Sequence, residues 1–244
     1  MEIIPVIDLK GGAVVHARMG RRDDYRPMET RLSPTSAPVD VARGLLSIHP
    51  FTTLYVADLD AIERRGDNRA ALERLHDAFP RLTLWVDNGI ARLGEAEAWL
   101  EAGIGHLVLG SESQTDAALV RRFTNDPRIV LSLDFRERAL QGPHELLADG
   151  AAWPSKVIAM TLARVGSGAG PDMDALTRVR DAGTSREVYA AGGVRGAADL
   201  AALARAGIAG ALVASCLHEG RLTGAEIAGL AAESRPLSRR RTDA

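Results

Sequence analysis

Two acidic residues stand at the ends of matching apolar runs: Asp8 closes Ile3-Ile-Pro-Val-Ile, and Asp134 closes Ile129-Val-Leu-Ser-Leu. Two carboxylates facing one pocket can divide the work of general acid and general base, provided their surroundings push their proton affinities apart. Thr161 ends a later apolar run and offers a hydroxyl to a sugar or to a catalytic carboxylate, while Asp58 and Arg136 supply further candidate substrate contacts. Gly192-Gly193 and Ala214-Ser215 follow two other runs, where small residues let backbone N–H groups approach an anion. Gly89 and Gly110-Ser111 hold the equivalent places earlier in the chain and are candidates for a second phosphate, although a carboxylate at Asp87 repels a dianion unless it is turned away or neutralised. The chemistry these residues suit is proton transfer on a small phosphorylated substrate.

What must position them is a duplicated scaffold. The stretch 85–111 recurs as 189–215, with Gly89 against Gly193 and Gly103 against Gly207, each pair 104 positions apart. Asp8 and Asp134 are 126 apart, and the excess falls in the polar, proline-containing stretch 20–38, which reads as a long active-site loop. Short apolar runs at 3–7, 53–57, 82–86, 107–109, 129–133, 157–160, 188–191 and 211–214 are mostly continuous, as in strands covered on both faces. Helical periodicity separates them at 39–47, 69–78, 93–102, 116–123, 173–182, 197–206 and 223–232. Between Phe135 and Ser155 only 144–149 reads as a helical turn. Eight alternations of strand and helix, in two related halves, predict a (β/α)8 TIM barrel built from two half-barrels; a doubly wound sheet is the alternative.

Composition narrows the field. At 244 residues and 46% hydrophobic content, the chain matches the ~250 residues of one such barrel. A single barrel is therefore expected over 1–235, with 236–244 as a flexible tail that carries the one basic run, Arg239-Arg240-Arg241. A net charge of −2 without a clustered basic face argues against a nucleic-acid partner. No apolar segment nears the ~20 residues that span a bilayer, so no membrane partner and a cytoplasmic location are expected. Cys216 is the lone cysteine, which excludes an internal disulfide, and the six histidines show no metal-ligand spacing. No metal site is expected, and the expected assembly is a monomer or small homo-oligomer.

Ile4-Pro-Val-Ile-Asp8-Leu, Gly12-Ala-Val-Val15, Ser132-Leu-Asp134-Phe-Arg136, Thr161 and Ala191-Gly-Gly-Val194 together resemble the half-barrel histidine-biosynthesis family, above all its ProFAR isomerases, over nearly the whole chain. The resemblance implies an Amadori rearrangement that opens the ribose of a bisphosphorylated aminoimidazole carboxamide ribotide without a cofactor. It implies Asp8 as the base at C2, Asp134 as the acid at the ring oxygen and Thr161 as a hydrogen-bonding assistant. It places one phosphate at Gly192-Gly193 and Ala214-Ser215 and the other at Gly89 and Gly110-Ser111. The chain departs from the family pattern at Asp87-Asn88-Gly89, where three glycines are usual, and at Ala214-Ser215, where Gly-Arg is usual. His16 replaces an arginine, a glycine near Gly166 replaces an acid, and the span from Asp134 to Thr161 is shortened, without the Gly-Trp of loop five. These departures fall on substrate-holding loops and imply a shifted substrate. The alternatives are a lyase, synthase or isomerase acting on a monophosphorylated metabolite, which a similar divergent branch ties to tetrahydromethanopterin-linked one-carbon metabolism, and a non-catalytic phosphate-ligand binder.

Overall fold

The structure is a computed structural model that describes residues 1–17 and 21–233; the expected tail at 236–244 lies outside the described residues. In chain order the strands are β1 (Glu2–Lys10), β2 (Ala13–Val15), β3 (Thr53–Asp58), β4 (Thr83–Asp87), β5 (His106–Gly110), β6 (Ile129–Arg136), β7 (Ala139–Leu140), β8 (Lys156–Thr161), β9 (Glu187–Ala191) and β10 (Gly210–Val213). Eight of them pair in parallel, in the order β1, β3, β4, β5, β6, β8, β9, β10, and β10 returns to β1 with Glu2 opposite Gly210 and Pro5 opposite Val213. The ring is closed, so the fold is the (β/α)8 TIM barrel, not an open doubly wound sheet. β2 and β7 are short antiparallel arms that fold back on β1 and β6.

Strand alternation divides the apolar side chains into two layers. One residue from each ring strand, namely Ile4, Tyr55, Trp85, Val108, Val130, Ile158, Tyr189 and Leu212, packs into the barrel interior. Their neighbours along the strands, among them Ile3, Val56, Val86, Leu107 and Val157, face the helices instead. Trp85 and Tyr189, which occupy equivalent places in the duplicated halves, meet edge to face with ring centroids 5.0 Å apart. Beneath them Glu2 accepts hydrogen bonds from Thr53 Oγ1 at 2.7 Å and Tyr189 Oη at 3.2 Å, so the polar groups at the closed end are paired.

The helices Arg69–Ala78, Leu93–Ala102 and Met173–Ala182 have the limits that their periodicity predicts. Each buries one stripe against the sheet, for example Ala71, Leu72 and Leu75, or Ala175, Leu176 and Val179. The helix expected over 116–123 shortens to Ala118–Arg122. The uncertain region after β6 forms the β6–β7 hairpin and then a single turn, Glu145–Ala148. The described part of the long 20–38 loop, 21–38, has structure of its own: a 3-10 turn at Arg22–Asp24, bridges joining Val15 to Pro27 and Thr30 to Ser33, and buried Tyr25 and Met28. No helix of the described residues is long and apolar enough to cross a membrane.

Gly44 sits inside the helix Pro38–Ile48, where local propensity favours alanine by about 1 kcal/mol. A Cβ there would lie 2.0 Å from the Leu32 carbonyl oxygen, so the glycine lets the long loop lie flat on the helix. Gly44→Ala is expected to destabilise the protein by about 2 kcal/mol despite the propensity gain, read from urea unfolding.

Candidate active site

The cavity opens at the C-terminal ends of the parallel strands, holds about 300 Å³, and has room for a small-molecule ligand. Its walls include Asp8, Asp134, Arg136, Gly192, Gly193, Ala214 and Ser215. The same alternation that puts Ile4 and Trp85 inside the barrel points Asp8 and Asp87 into its mouth, since each lies an even number of residues further along its strand.

Asp134 is held by Ser132 Oγ at 2.7 Å on one oxygen, and by Ser111 Oγ at 3.1 Å and the Glu112 N–H at 3.2 Å on the other. Only 4% exposed, it is nevertheless pushed up to about 6, by burial first and then by the Glu112 charge, while those three hydrogen bonds hold it down. Asp8 keeps part of its surface open to the cavity, although protein surrounds it on all other sides. Burial raises it to about 7 against the pull of Arg22. Asp87 rises furthest, to about 8, through burial and the Asp134 charge, with the Gly89 N–H opposing at 3.2 Å. Tyr55 stands among these acids, its hydroxyl 3.5 Å from Asp87, and burial together with the charges of Asp87, Asp134, Asp8 and Glu112 keeps it un-ionised.

Several candidate residues lie elsewhere. Ser111 is fully buried, and its hydroxyl donates to Asp134 while accepting the Asp134 N–H at 2.9 Å, so it orients that carboxylate. The Gly89 N–H is likewise spent on Asp87. Gly110 has no Cβ because one there would lie 2.9 Å from an Asp87 oxygen. Asp58, 1% exposed, faces the helix layer and accepts from the Asn68 N–H, Asn68 Nδ2 and the Ala61 N–H, which makes it a cap and not a substrate contact. Thr161 is buried beside the Asp134 strand end, in register with Phe135, but outside the cavity lining. Its parity along β8 matches Val157 and Ala159, which pack outward.

The second-half corner stays open. Gly192 and Gly193 have φ of +100° and +85°, and a Cβ on Gly193 would meet the Gly170 carbonyl oxygen at 2.2 Å. The Gly170 N–H donates to the Gly193 carbonyl at 3.0 Å, which fixes the 166–170 loop to this corner. Arg164 reinforces the loop through the Gly170 and Pro171 carbonyls.

A family model described as histidine biosynthesis protein matches residues 2–223. The chain belongs to that family. An uncharacterized protein of Methanocaldococcus jannaschii is 29% identical, with 93% of this chain and 97% of that one aligned. A relative from Alkalilimnicola ehrlichii is 32% identical over 96% of this chain and 98% of its own; its name is 1-(5-phosphoribosyl)-5-((5-phosphoribosylamino)methylideneamino) imidazole-4-carboxamide isomerase. A protein of the same name from Hyphomonas neptunium is 31% identical over 92% and 96%.

Measured against the family pattern, the site has residues that motif comparison passed over. Arg22 comes from the long loop, pairs with Glu112 across the cavity wall, and is anchored by Lys10 Nζ on its carbonyl at 2.8 Å. Arg221 and His218 line the cavity as well, His218 lowered to about 4 by burial and by the neighbouring His16. The sequence signal for Arg22 is its place in the long polar loop that follows β2.

Asp87 has a folded value of about 8 against an ordinary 3.8, so the fold favours its neutral form. Its cost to stability sets in as pH rises past the ordinary value and is complete above about 8. Asp87→Asn cannot ionise, so its stability advantage over wild type is expected to grow from about pH 4 to about pH 8 and then level off at a few kcal/mol. Urea unfolding across that range checks this; a pH-independent difference contradicts it.

Proposed function

We propose that the chain is a cofactor-free aldose–ketose isomerase whose substrate is shifted from the bisphosphorylated ribotide in the names of its isomerase relatives towards a compound with one phosphate. The observation that carries this reading is that Asp8 and Asp134 line one cavity with the Gly192-Gly193 corner. Asp134 protonates the furanose ring oxygen and the C–O bond opens to a Schiff base. Asp8 takes the C2 proton, the C2 hydroxyl gives up its own, and C1 gains one, so the aldosylamine becomes an aminoketose with no net change in atoms or electrons. The phosphate lies against Gly192, Gly193, Ala214 and Ser215, where glycines leave the backbone accessible. Thr161 supports the Asp134 strand end and does not touch substrate.

The relatives' substrate name contains two phosphoribosyl groups. In this chain Gly89 and Ser111 serve carboxylates and Asp87 is itself acidic, which favours a single phosphate. The same observation favours, as a second reading, a lyase or synthase using Asp8 and Asp134 on a monophosphorylated metabolite, the reading under which a place in tetrahydromethanopterin-linked metabolism belongs.

Turnover of ProFAR and of monophosphorylated analogues is the test. The single-phosphate analogue is expected to be preferred, and Asp8→Asn and Asp134→Asn are each expected to lower kcat by about 10²–10⁴. A folded wild type that isomerises neither compound overturns the isomerase reading. The base works ionised and the acid protonated, so with Asp8 near 7 and Asp134 near 6 the rate should fall below about 6 and above about 7. A kcat/KM that stays level well below 6 and well above 7 contradicts the two-carboxyl assignment. Inorganic phosphate followed by ³¹P NMR or crystallography is expected to occupy the Gly193 corner and no second place near Asp87.

A further inference from the structure

The reaction described above uses Asp8 and Asp134 and leaves a third buried carboxyl, Asp87, with no part. It ends β4, is 5% exposed and lines the same cavity. Its counterpart in the duplicated half is Ala191, so nothing about the strand end requires an acid. Asp87 and Asp134 both flank Gly110: a Cβ there would lie 2.9 Å from Asp87 Oδ2 and 3.5 Å from Asp134 Oδ2. A side chain at 110 would separate the two carboxyls; glycine does not.

The groups around them do not neutralise two charges. From β3, Tyr55 presents a hydroxyl at 3.5 Å from Asp87; from the loop after β4, the Gly89 N–H reaches it at 3.2 Å. From the β5 side come Ser111, the Glu112 N–H and the Glu112 carboxylate, and from β6 comes Ser132. β1 contributes Asp8, another acid, facing the Tyr55 hydroxyl. The nearby guanidinium, Arg22, is committed to Glu112, and among the described residues neither Asp87 nor Asp134 forms a salt bridge. Two ionised carboxylates so placed in a low-dielectric floor repel each other strongly.

We propose that Asp87 is a positioning residue acting through Asp134, the two buried carboxyls flanking Gly110 and carrying one proton between them across the neutral range. Naming Asp134 as the acid rests on the proposed function; the shared proton does not. The burial and charges around the pair accord with this: burial raises both carboxyls, and the Asp134 charge raises Asp87 further. In turnover the pair's one proton sits on Asp134 and passes to the ring oxygen while Asp87 is ionised beside it; both carboxyls are then ionised until solvent returns a single proton to the pair. Only O–H bonds form and break, and one negative charge stays on the pair between turnovers.

Carbon-detected NMR of ¹³C-aspartate-labelled full-length protein reads both carboxyls directly and needs no turnover. In wild type each carboxyl carbon is expected to respond at both steps. In Asp134→Asn the Asp87 titration should move down by about one unit or more, because a neighbouring negative charge is gone. In Asp87→Asn the upper step should vanish from the Asp134 curve and leave a single phase. Asp87 titrating at its wild-type pH in Asp134→Asn, or Asp134 keeping both phases in Asp87→Asn, overturns the proposal; where Asp134→Asn fails to fold, the Asp87→Asn curve decides alone. Coupling without turnover of any sugar phosphate sinks the isomerase reading and leaves the shared proton standing, and turnover without coupling does the reverse.

Discussion

The organising constraint is an excess of buried acid at the mouth of the barrel. Asp8, Asp87, Glu112 and Asp134 crowd the Tyr55 hydroxyl, and the guanidinium of Arg22 is taken by Glu112. In a low-dielectric floor such a set cannot ionise fully, and raised proton affinities are the consequence. Nearly every local feature of the site follows from accommodating it. Ser132, Ser111 and the Glu112 N–H surround Asp134, the Gly89 N–H supports Asp87, and Gly110 gives up its side chain to make room.

That crowding is tolerable only on a rigid base. The lower barrel is filled by one side chain from each strand, centred on the Trp85–Tyr189 pair, and its polar end is paired through Glu2. Close packing leaves the strand ends little freedom to splay apart and relieve the repulsion. Strain of this kind at a functional mouth costs stability that the apolar layers must supply.

The two halves of the ring show how one backbone plan takes different surroundings. After β9, Gly192 and Gly193 adopt positive φ and leave an open corner, with the 166–170 loop fixed against it. After β4, the equivalent corner keeps Gly89 at a φ of +68° but folds its N–H onto an acid. The duplicated turn is retained while its surroundings differ: one corner lines the cavity, and the other is closed by an acid.

The alternation of continuous apolar runs with 3.6-residue periodicity determined the barrel, because strand and helix formation answer to local pattern; the helices at 69–78, 93–102 and 173–182 were legible to the residue. The placement of Asp8 and Asp134 on one cavity was also legible, since an acid ending a barrel strand has few other places to point. What the tertiary structure alone decided was who meets whom. Asp58 turned outward to Asn68, Thr161 stayed behind the cavity wall, Ser111 turned to Asp134, and Arg22 crossed ninety positions of sequence to reach Glu112. Side-chain parity at a strand's last residue and pairing across distant loops depend on packing of the whole ring, and no local window of sequence carries that information.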